Sequence, residues 1–363
     1  MKLGYRPELD GIRAIAIAIV VLYHTVGLPA TGFVGVDLFF VLSGFLITTL
    51  LLEEHARHRS ISLRDFYRRR AYRLLPALFV LLGMFLAYSA LVALARDGSL
   101  DRALFGVVAG IGYFSNLAIA AEPGTVTMPN ELRHLWSLAI EEQFYVVWPL
   151  VLLSVLRVRL SLALIALGTA IALAAAQQIR LYLDGASWER IAYGSDTRGT
   201  SILVGCALAV AFATRARTTI DKAARHVAPV AIASCLVLLA VIPRSSYLSI
   251  WLLLVAVSCA WLIVRTLDDR SRLASWLSVR PMVFLGRISY SLYLWHVPIY
   301  VVLGLGTAAE LMDIPALLLA LACATASYYL VEMPFLRRKR KPRSSTEATD
   351  ATVPAPVLTP ANP

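Results

Sequence analysis

Two polar side chains bracket a strongly apolar stretch near the start of the sequence, RAIAIAIVVLYH, which runs from Arg13 to His24. Eleven residues of an α-helix turn through about 1100°, close to three full turns, so both side chains share one face about 16 Å apart. A guanidinium and an imidazole at two depths of one apolar helix indicate a face that lines a protein interior or a wet cavity. Taken singly, Arg13 fits an interfacial anchor and His24 a structural hydrogen-bonding group.

A carboxylate follows in the next apolar run, GFVGVDLFFVLSGFLI, at Asp37. The short, helix-breaking GLPATG between the two runs makes them antiparallel neighbours, which places His24 and Asp37 at similar depth. A carboxylate there would orient the imidazole and raise its basicity, so the pair predicts a general base. A buried ion pair or a helix cap is the alternative for Asp37. Ser43 and Gly44 favour a close-packing site.

Two arginines mark the start of a later apolar run, in DFYRRRAYRLLP. Arg70 and Arg73 are one helical turn apart and therefore point the same way where that run begins. Paired guanidinium groups suit phosphate groups. The alternative is an ordinary basic loop on the cytoplasmic side of a membrane.

Two further motifs carry polar groups inside apolar runs. In HLWSLAIEEQFYVVWP, His134, Ser137 and Glu141 share a helix face and Glu142 points elsewhere. Adjacent carboxylates in a membrane segment are costly and need partners, and a packing network with Arg or Tyr neighbours is the structural alternative. In SYSLYLWHVPIY, His296 is ringed by aromatic residues, and we interpret it as a satisfied core histidine.

The elements that must position these groups are transmembrane helices. The 363 residues are 59% hydrophobic and 16% charged, and the mean hydropathy is +0.71. Apolar runs of about 18 residues or more recur along the chain, which predicts an all-α polytopic membrane protein. The net charge of +11 fits basic cytoplasmic loops and needs no nucleic acid. The four cysteines lie singly in apolar segments, so no metal site is expected.

The distribution of arginines predicts how the chain crosses the membrane. About eleven apolar runs occur, and the segment 103–120, with its three glycines and Asn116, is the weakest of them. Treating it as re-entrant or peripheral leaves about ten spans, puts every basic connection and both termini in the cytoplasm, and makes residues 178–198 the main external loop. Residues 1–336 then form the transmembrane domain, and residues 337–363 form a disordered cytoplasmic tail, first basic and then rich in Pro, Thr and Ala.

These stretches together resemble the acyltransferase 3 family of integral membrane acyltransferases. The matching stretches, in the family's order over about residues 5–335, are ELDGIRAIAIAIVVLYH, GFVGVDLFFVLSGFLI, FYRRRAYRLLP, HLWSLAIEEQFYVVWP and ISYSLYLWHVPI. The resemblance implies a bundle of about ten transmembrane helices in the plasma membrane. It also implies transfer of an acyl group, usually acetyl, from cytoplasmic acyl-coenzyme A to a hydroxyl of a carbohydrate-containing acceptor, either a cell-surface glycan or a macrolide-type metabolite.

The resemblance also assigns roles to single residues. Arg13 and His24 match the family's Arg-X10-His pair, in which the histidine is catalytic. Arg70 and Arg73 match its Arg-X-X-Arg motif, which is linked to the coenzyme A donor, and we include Arg13 with them among the predicted donor-binding residues.

Two carboxylates complete the carry-over. Glu141 and Glu142 match a glutamate pair of the family, and we include both with His24 and Asp37 among the predicted catalytic residues. The resemblance implies a stand-alone form without an extracytoplasmic esterase-like domain, with acyl-coenzyme A as a substrate and no permanently bound cofactor or metal.

The mechanism that follows is acyl-coenzyme A-dependent O-acylation. His24 either deprotonates the acceptor hydroxyl or transiently accepts the acyl group, and the sequence leaves both open. Two other classes of protein bury similar groups: a proton-coupled transporter, and a non-catalytic component of a polysaccharide export system. We find no internal repeat, which argues against a transporter built from inverted repeats.

Overall fold

A computed structural model shows a helical bundle, and it describes residues 3–27, 32–96, 100–121, 128–156, 160–214, 216–241, 251–268, 271–304 and 314–338. Helices account for all the regular structure in these ranges, so the all-α prediction is confirmed. The predicted tail lies outside the described residues from 339 onward, and the last helix continues through Arg338, past the expected boundary at 336.

Seventeen α-helices are described along the chain. Their bounds are α1 Pro7–Val26, α2 Phe33–His58, α3 Leu63–Arg96, α4 Asp101–Ile111, α5 Ser115–Ala120, α6 Trp136–Leu156, α7 Leu160–Leu183, α8 Trp188–Tyr193, α9 Ser195–Arg198, α10 Thr200–Phe212, α11 Arg217–Val241, α12 Leu252–Thr266, α13 Arg272–Leu277, α14 Arg280–Arg287, α15 Ser289–Val302, α16 Ile314–Ser327 and α17 Met333–Arg338. A 3₁₀ turn, Asn130–Leu135, leads into α6, and a π-helical turn, Tyr328–Glu332, joins α16 to α17.

Several of these helices are long and apolar enough to cross a bilayer. Within the described ranges there are 5 of them: Val34–His58, Leu63–Ala95, Asn130–Leu156, Leu162–Leu183 and Ile314–Arg337. The chain is therefore a multi-pass membrane protein. The count of about ten spans, and the cytoplasmic location of both termini, stay predictions.

The segment 103–120 is broken into two short helices. The chain turns between α4 and α5 at Tyr113, whose φ of 52° lies in the left-handed region. The 11 residues of α4 rise about 16 Å, roughly half of the hydrocarbon core of a bilayer. This segment does not cross as one helix, in agreement with the peripheral interpretation.

The segment 178–198, which the sequence predicts to be the main external loop, is largely helical, and its external location stays a prediction. It contains the end of α7 and the whole of α8 and α9, and it folds onto the bundle, with Tyr193 and Arg198 buried. The Gln143 amide donates to Asn116 at 2.9 Å, and Ser195 donates to Gln143 at 2.6 Å. These hydrogen bonds connect α5 and α9 to α6. Hydropathy does not reveal them, because they join polar residues that are far apart in the sequence.

The helices α2 and α10 pack with their backbones in contact. A Cβ atom at Gly44 would collide with the carbonyl of Ile202, and one at Gly205 would collide with the carbonyl of Val41. Glycines at these two positions therefore permit the close approach. The close-packing prediction holds for Gly44.

Candidate active site

Two adjoining cavities lie at the arginine-rich end of the bundle. The first, which we call the vestibule, has a volume of about 740 Å³. The second, the arginine cavity, has a volume of about 170 Å³ and reaches deeper between α1, α2, α3, α6 and α15. The side chains common to both walls are Ile47, Leu50, Arg70 and Arg73.

Arg70 is held by two neighbours on α6. It forms an ion pair with Glu142, and its guanidinium carbon lies 3.3 Å from the ring centroid of Tyr145. The carboxylate and the aromatic face together fix the direction of the guanidinium group. Glu142 thus has an arginine partner, as the alternative of a structural packing network predicts. Its catalytic role, which the resemblance implies, stays a prediction.

The other two arginines of the cavity differ in their pairing. Arg13 forms an ion pair with Asp10, one turn away on α1, at 2.8 Å. Arg73 makes no ion pair with any residue that the structure describes, although it lines both the vestibule and the arginine cavity. Arg73 is therefore the arginine best placed to receive an external anion.

Glu141 also lies in the arginine cavity. Its carboxylate accepts hydrogen bonds from the hydroxyl of Ser43 and, at 2.5 Å, from the hydroxyl of Tyr145. Ser43 lines this cavity as well, so the packing prediction was wrong for its side chain: the hydroxyl belongs to a polar cluster. The contacts of Glu141 favour a role in shaping this cavity, and its predicted catalytic role is untested.

A third cavity, the histidine cavity, has a volume of about 500 Å³. It adjoins the arginine cavity, because Val36 and Tyr293 line both. Arg13 lies on the wall of one cavity and His24 on the wall of the other. The prediction that one face of the first helix lines an interior space at two depths is thus confirmed.

His24 lies in the last turn of α1. The helix ends at Gly27, whose φ of 67° suits glycine and whose N–H donates to the carbonyl of Tyr23 at 3.0 Å. This stop places the imidazole at the end of the helix, exposed on the histidine cavity.

The second histidine of the site is His296 on α15. Its Nδ1 lies 3.0 Å from the carbonyl oxygen of Leu292 and 2.8 Å from that of Tyr293. A carbonyl only accepts hydrogen bonds, so Nδ1 carries the proton, and Nε2 of the neutral ring is an acceptor.

This assignment fixes the tautomer of His24. Nδ1 of His24 lies 3.3 Å from Nε2 of His296 and 2.8 Å from the carbonyl oxygen of Val20. Both partners are acceptors, so Nδ1 of His24 is the donor, and Nε2 of the neutral ring carries the lone pair. The arrangement gives His24 a nitrogen that can accept a proton.

Tyr293 forms the wall between the arginine and histidine cavities. Its single hydroxyl proton goes to the carbonyl of His134, so Ser137, whose oxygen lies 2.6 Å from that of Tyr293, is the donor to it. His134 lines the histidine cavity, whereas Ser137 and Glu141 line the arginine cavity. The predicted shared face of these three residues therefore runs from one cavity to the other.

Asp37 has a different principal neighbour from the one that the sequence predicts. Its carboxylate lies 3.1 Å from a guanidinium nitrogen of Arg198 and accepts a hydrogen bond from Ser201 at 3.0 Å. Both members of the ion pair are fully buried. The contacts described for His24 include Val20 and His296, so His296 occupies an orienting position, and the orienting role predicted for Asp37 is untested. The buried ion pair that was the alternative for Asp37 is present.

The structure agrees with the interpretation of His296 as a buried, hydrogen-bonded histidine among aromatic residues, but sequence reasoning did not predict its contact with His24 and overlooked Tyr293. Both residues belong to the aromatic-rich stretch SYSLYLWHVPIY. The contact between His296 and His24 forms only when α15 packs against α1, so this stretch alone does not reveal it.

Similarity to known proteins identifies the family of the chain. The sequence profile of Acyl_transf_3, described as an acyltransferase domain, matches residues 6–333. The chain is 32% identical to the peptidoglycan O-acetyltransferase OatA of Listeria monocytogenes, over 91% of this chain and 54% of that protein. It is 32% identical to the O-acetyltransferase OatA of Staphylococcus aureus over 92% and 58%, and 33% identical to YrhL of Bacillus subtilis over 91% and 55%.

These relatives are longer proteins, and the chain spans about half of their length. No solved structure matches the chain. The profile match nevertheless includes all of the residues that line the three cavities. The chain belongs to the acyltransferase 3 family.

Proposed function

We propose that this protein transfers an acyl group, preferably acetyl, from acyl-coenzyme A to a hydroxyl of a glycan. The observation that carries the proposal is the pair of adjoining cavities, one lined by arginines and the other by a tautomer-locked histidine, which meet at Val36 and Tyr293. The relatives from Listeria monocytogenes and Staphylococcus aureus are both named O-acetyltransferases, which supports acetyl as the transferred group.

The arginine side suits the donor. The phosphates of coenzyme A bind in the vestibule against Arg70 and Arg73, where the sequence predicts the cytoplasm. The narrower arginine cavity takes the extended pantetheine arm, which carries the thioester inward to the wall formed by Tyr293. Arg13 lines the same passage and adds positive charge.

The histidine side suits the acceptor. Nε2 of His24 takes the proton of the acceptor hydroxyl as the oxygen attacks the thioester carbonyl. The new ester C–O bond forms, the C–S bond breaks, and the coenzyme A thiolate receives the proton. His296 accepts the Nδ1 hydrogen bond throughout and stabilises the positive charge that His24 gains.

Transfer is tested with the purified full chain in nanodiscs, given radiolabelled acetyl-coenzyme A and the disaccharide repeat of peptidoglycan. We expect one free thiol for each ester formed. A proton-coupled transporter would move solute across a proteoliposome membrane without releasing thiol, and an export component would do neither. Absence of both thiol and ester at saturating donor would refute the proposed reaction.

Replacing Arg73 by alanine should raise KM for acetyl-coenzyme A by about ten- to a hundredfold, because a charge-assisted hydrogen bond to phosphate is lost. Arg73→Lys should recover only part of this, since an ammonium group cannot make the two-pronged contact. Steady-state kinetics with varied donor measures both. Arg68→Ala is the matched control, because Arg68 lies on the same helix, pairs with Asp65 and lines neither cavity. An unchanged KM in Arg73→Ala would remove Arg73 from the donor site.

Replacing His296 by leucine should lower kcat by about five- to tenfold and leave KM for acetyl-coenzyme A unchanged, because His24 loses one acceptor at Nδ1. His296→Gln should retain more of the rate, since its amide oxygen can accept the same hydrogen bond. A purely structural histidine would give equal losses in both variants, together with a lower melting temperature.

A further inference from the structure

Tyr300 is a buried tyrosine whose hydroxyl has no hydrogen-bond partner in the described part of the chain. It lies on α15, one turn after His296, and lines the histidine cavity with only 3% of its surface exposed. Its hydroxyl makes no hydrogen bond to any residue that the structure describes. Buried hydroxyls in proteins are normally paired, so a site that keeps one unpaired is prepared for a partner from outside.

His134 is a second group of this kind in the same cavity wall. It is 4% exposed, and neither of its ring nitrogens makes a hydrogen bond of ordinary geometry within the described part of the chain. The carbonyls of Glu131 and Leu294 lie near the ring. A neutral imidazole has one proton, so at most one nitrogen can donate to a carbonyl, and the other is left with an unused lone pair.

The two groups and the proposed base, His24, all pack around His296. The ring of His296 lies 5.7 Å from that of His134, 6.2 Å from that of Tyr300 and 5.0 Å from that of His24, measured between centroids. The hydroxyl of Tyr300 and the imidazole of His134 therefore belong to the wall of the same cavity as His24, packed around one shared histidine. An alcohol both donates and accepts hydrogen bonds, so it matches this combination.

The rest of the cavity wall favours a ring-shaped ligand. It includes the aromatic side chains of Tyr23, Trp136 and Tyr193, which give flat faces, and Asn130, which adds an amide. Trp136 and Tyr193 are themselves packed edge to face at 5.1 Å, which fixes their orientation. Flat apolar faces beside hydrogen-bonding groups fit a ligand with apolar C–H faces and a polar hydroxyl edge.

We propose that Tyr300 and His134 form a hydroxyl-recognition subsite for a sugar ring. They bind a hydroxyl that neighbours the one presented to His24, and so decide which hydroxyl of the ring is acylated. The inference rests on the proposed function, because it takes the histidine cavity as the acceptor site. It assigns the recognition of the acceptor to two residues that perform no step of the transfer itself.

The test measures binding of a sugar probe to the full chain in nanodiscs without any acyl-coenzyme A. The probe is the disaccharide of N-acetylglucosamine and N-acetylmuramic acid, and its dissociation constant is followed by saturation-transfer NMR titration. Tyr300→Phe should raise this constant by about three- to tenfold, the size of one lost hydrogen bond. His134→Leu should do the same. With saturating acetyl-coenzyme A, both variants should raise KM for the disaccharide and leave KM for the donor unchanged.

Tyr67→Phe is the matched control, since it also removes one tyrosine hydroxyl. That hydroxyl donates to the carbonyl of Val146 at 2.9 Å and lies outside all three cavities. Tyr67→Phe should lower the melting temperature and leave sugar binding unchanged, whereas Tyr300→Phe should keep or raise the melting temperature of the unliganded protein, because an unpaired buried hydroxyl is removed.

The outcomes separate this inference from the proposed reaction. Wild-type affinity in both Tyr300→Phe and His134→Leu would overturn the subsite, and so would a wild-type protein that does not bind the disaccharide. If the variants bind weakly as expected but the wild type releases no thiol from acetyl-coenzyme A, the subsite stands and the proposed transfer fails.

Discussion

His24→Ala is expected to lower the rate of acyl transfer at saturating donor and acceptor by about 10²–10⁴-fold, the usual contribution of a general base. The reason is the hydrogen-bond order around the ring: Nδ1 donates to two acceptors, the Val20 carbonyl and Nε2 of His296, and this leaves Nε2 of His24 as the basic nitrogen. The assay counts thiol release and ester formation with the purified chain in nanodiscs.

The control for this variant is His226→Ala, which removes an exposed histidine of α11 that lines none of the three cavities. It should keep the wild-type rate. Membrane abundance and donor affinity of His24→Ala should also stay at wild-type values, because Arg70 and Arg73 line the vestibule, whose wall does not include His24. Wild-type turnover in His24→Ala would refute the mechanism.

The wild-type protein distinguishes a His24 that acts as a general base from a His24 that forms a covalent acyl intermediate. If His24 accepts the acyl group, wild-type protein mixed with donor alone should release one thiol for each chain in a burst, because the C–S bond breaks as the acyl group moves to the imidazole. If His24 is a base, no thiol is released and the donor stays intact until the acceptor is added.

Local spacing was sufficient to predict the parts of the site that lie on one helix. The helical repeat fixes which residues share a face, so the common face of Arg13 and His24 on α1, and that of Ser137 and Glu141 on α6, follow from spacing alone, whereas His134 lies in the 3₁₀ turn before α6. Hydropathy likewise predicted the helical class, and the distribution of basic loops singled out 103–120 as a re-entrant or peripheral segment.

Contacts between distant segments could not be predicted in this way. His24 and His296 are 272 residues apart, and Asp37 and Ser201 are 164 apart. Depth in the membrane restricts which residues can meet, but it does not say which of several polar groups at one depth become neighbours. Asp37 was expected to pair with His24 on that ground, whereas α9 brings Arg198 to the carboxylate.

The buried pair between Asp37 and Arg198 gives the second large expected effect. Asp37→Ala should lower the free energy of unfolding by about 3–5 kcal/mol, because it leaves the charge of Arg198 buried without its counter-ion. Thermal unfolding in detergent and the amount of protein in the membrane measure the loss. The double variant Asp37→Leu/Arg198→Met should regain most of the stability, since no buried charge remains.

A neighbouring surface pair is the matched control for that measurement. Arg190 donates to both carboxylate oxygens of Asp196, at 2.9 and 2.7 Å, and these bonds hold the pKa of that carboxyl below its ordinary value. The pair is partly exposed, so Asp196→Ala should cost about 1 kcal/mol or less. An equal loss in Asp37→Ala and Asp196→Ala would contradict the burial argument.

Turnover in the double variant then decides what Asp37 does. If the carboxylate serves only to neutralise Arg198, Asp37→Leu/Arg198→Met should be stable and should transfer acyl groups at close to the wild-type rate per folded molecule. If the carboxylate orients His24, as the sequence predicts, the same protein should be stable but slow. Arg198 also lies 5.4 Å from the ring of Trp136 in the wall of the histidine cavity, so KM for the acceptor is measured alongside kcat. A fall in kcat with an unchanged KM would assign Asp37 to the base, whereas a rise in KM alone would assign the pair to the shape of the cavity.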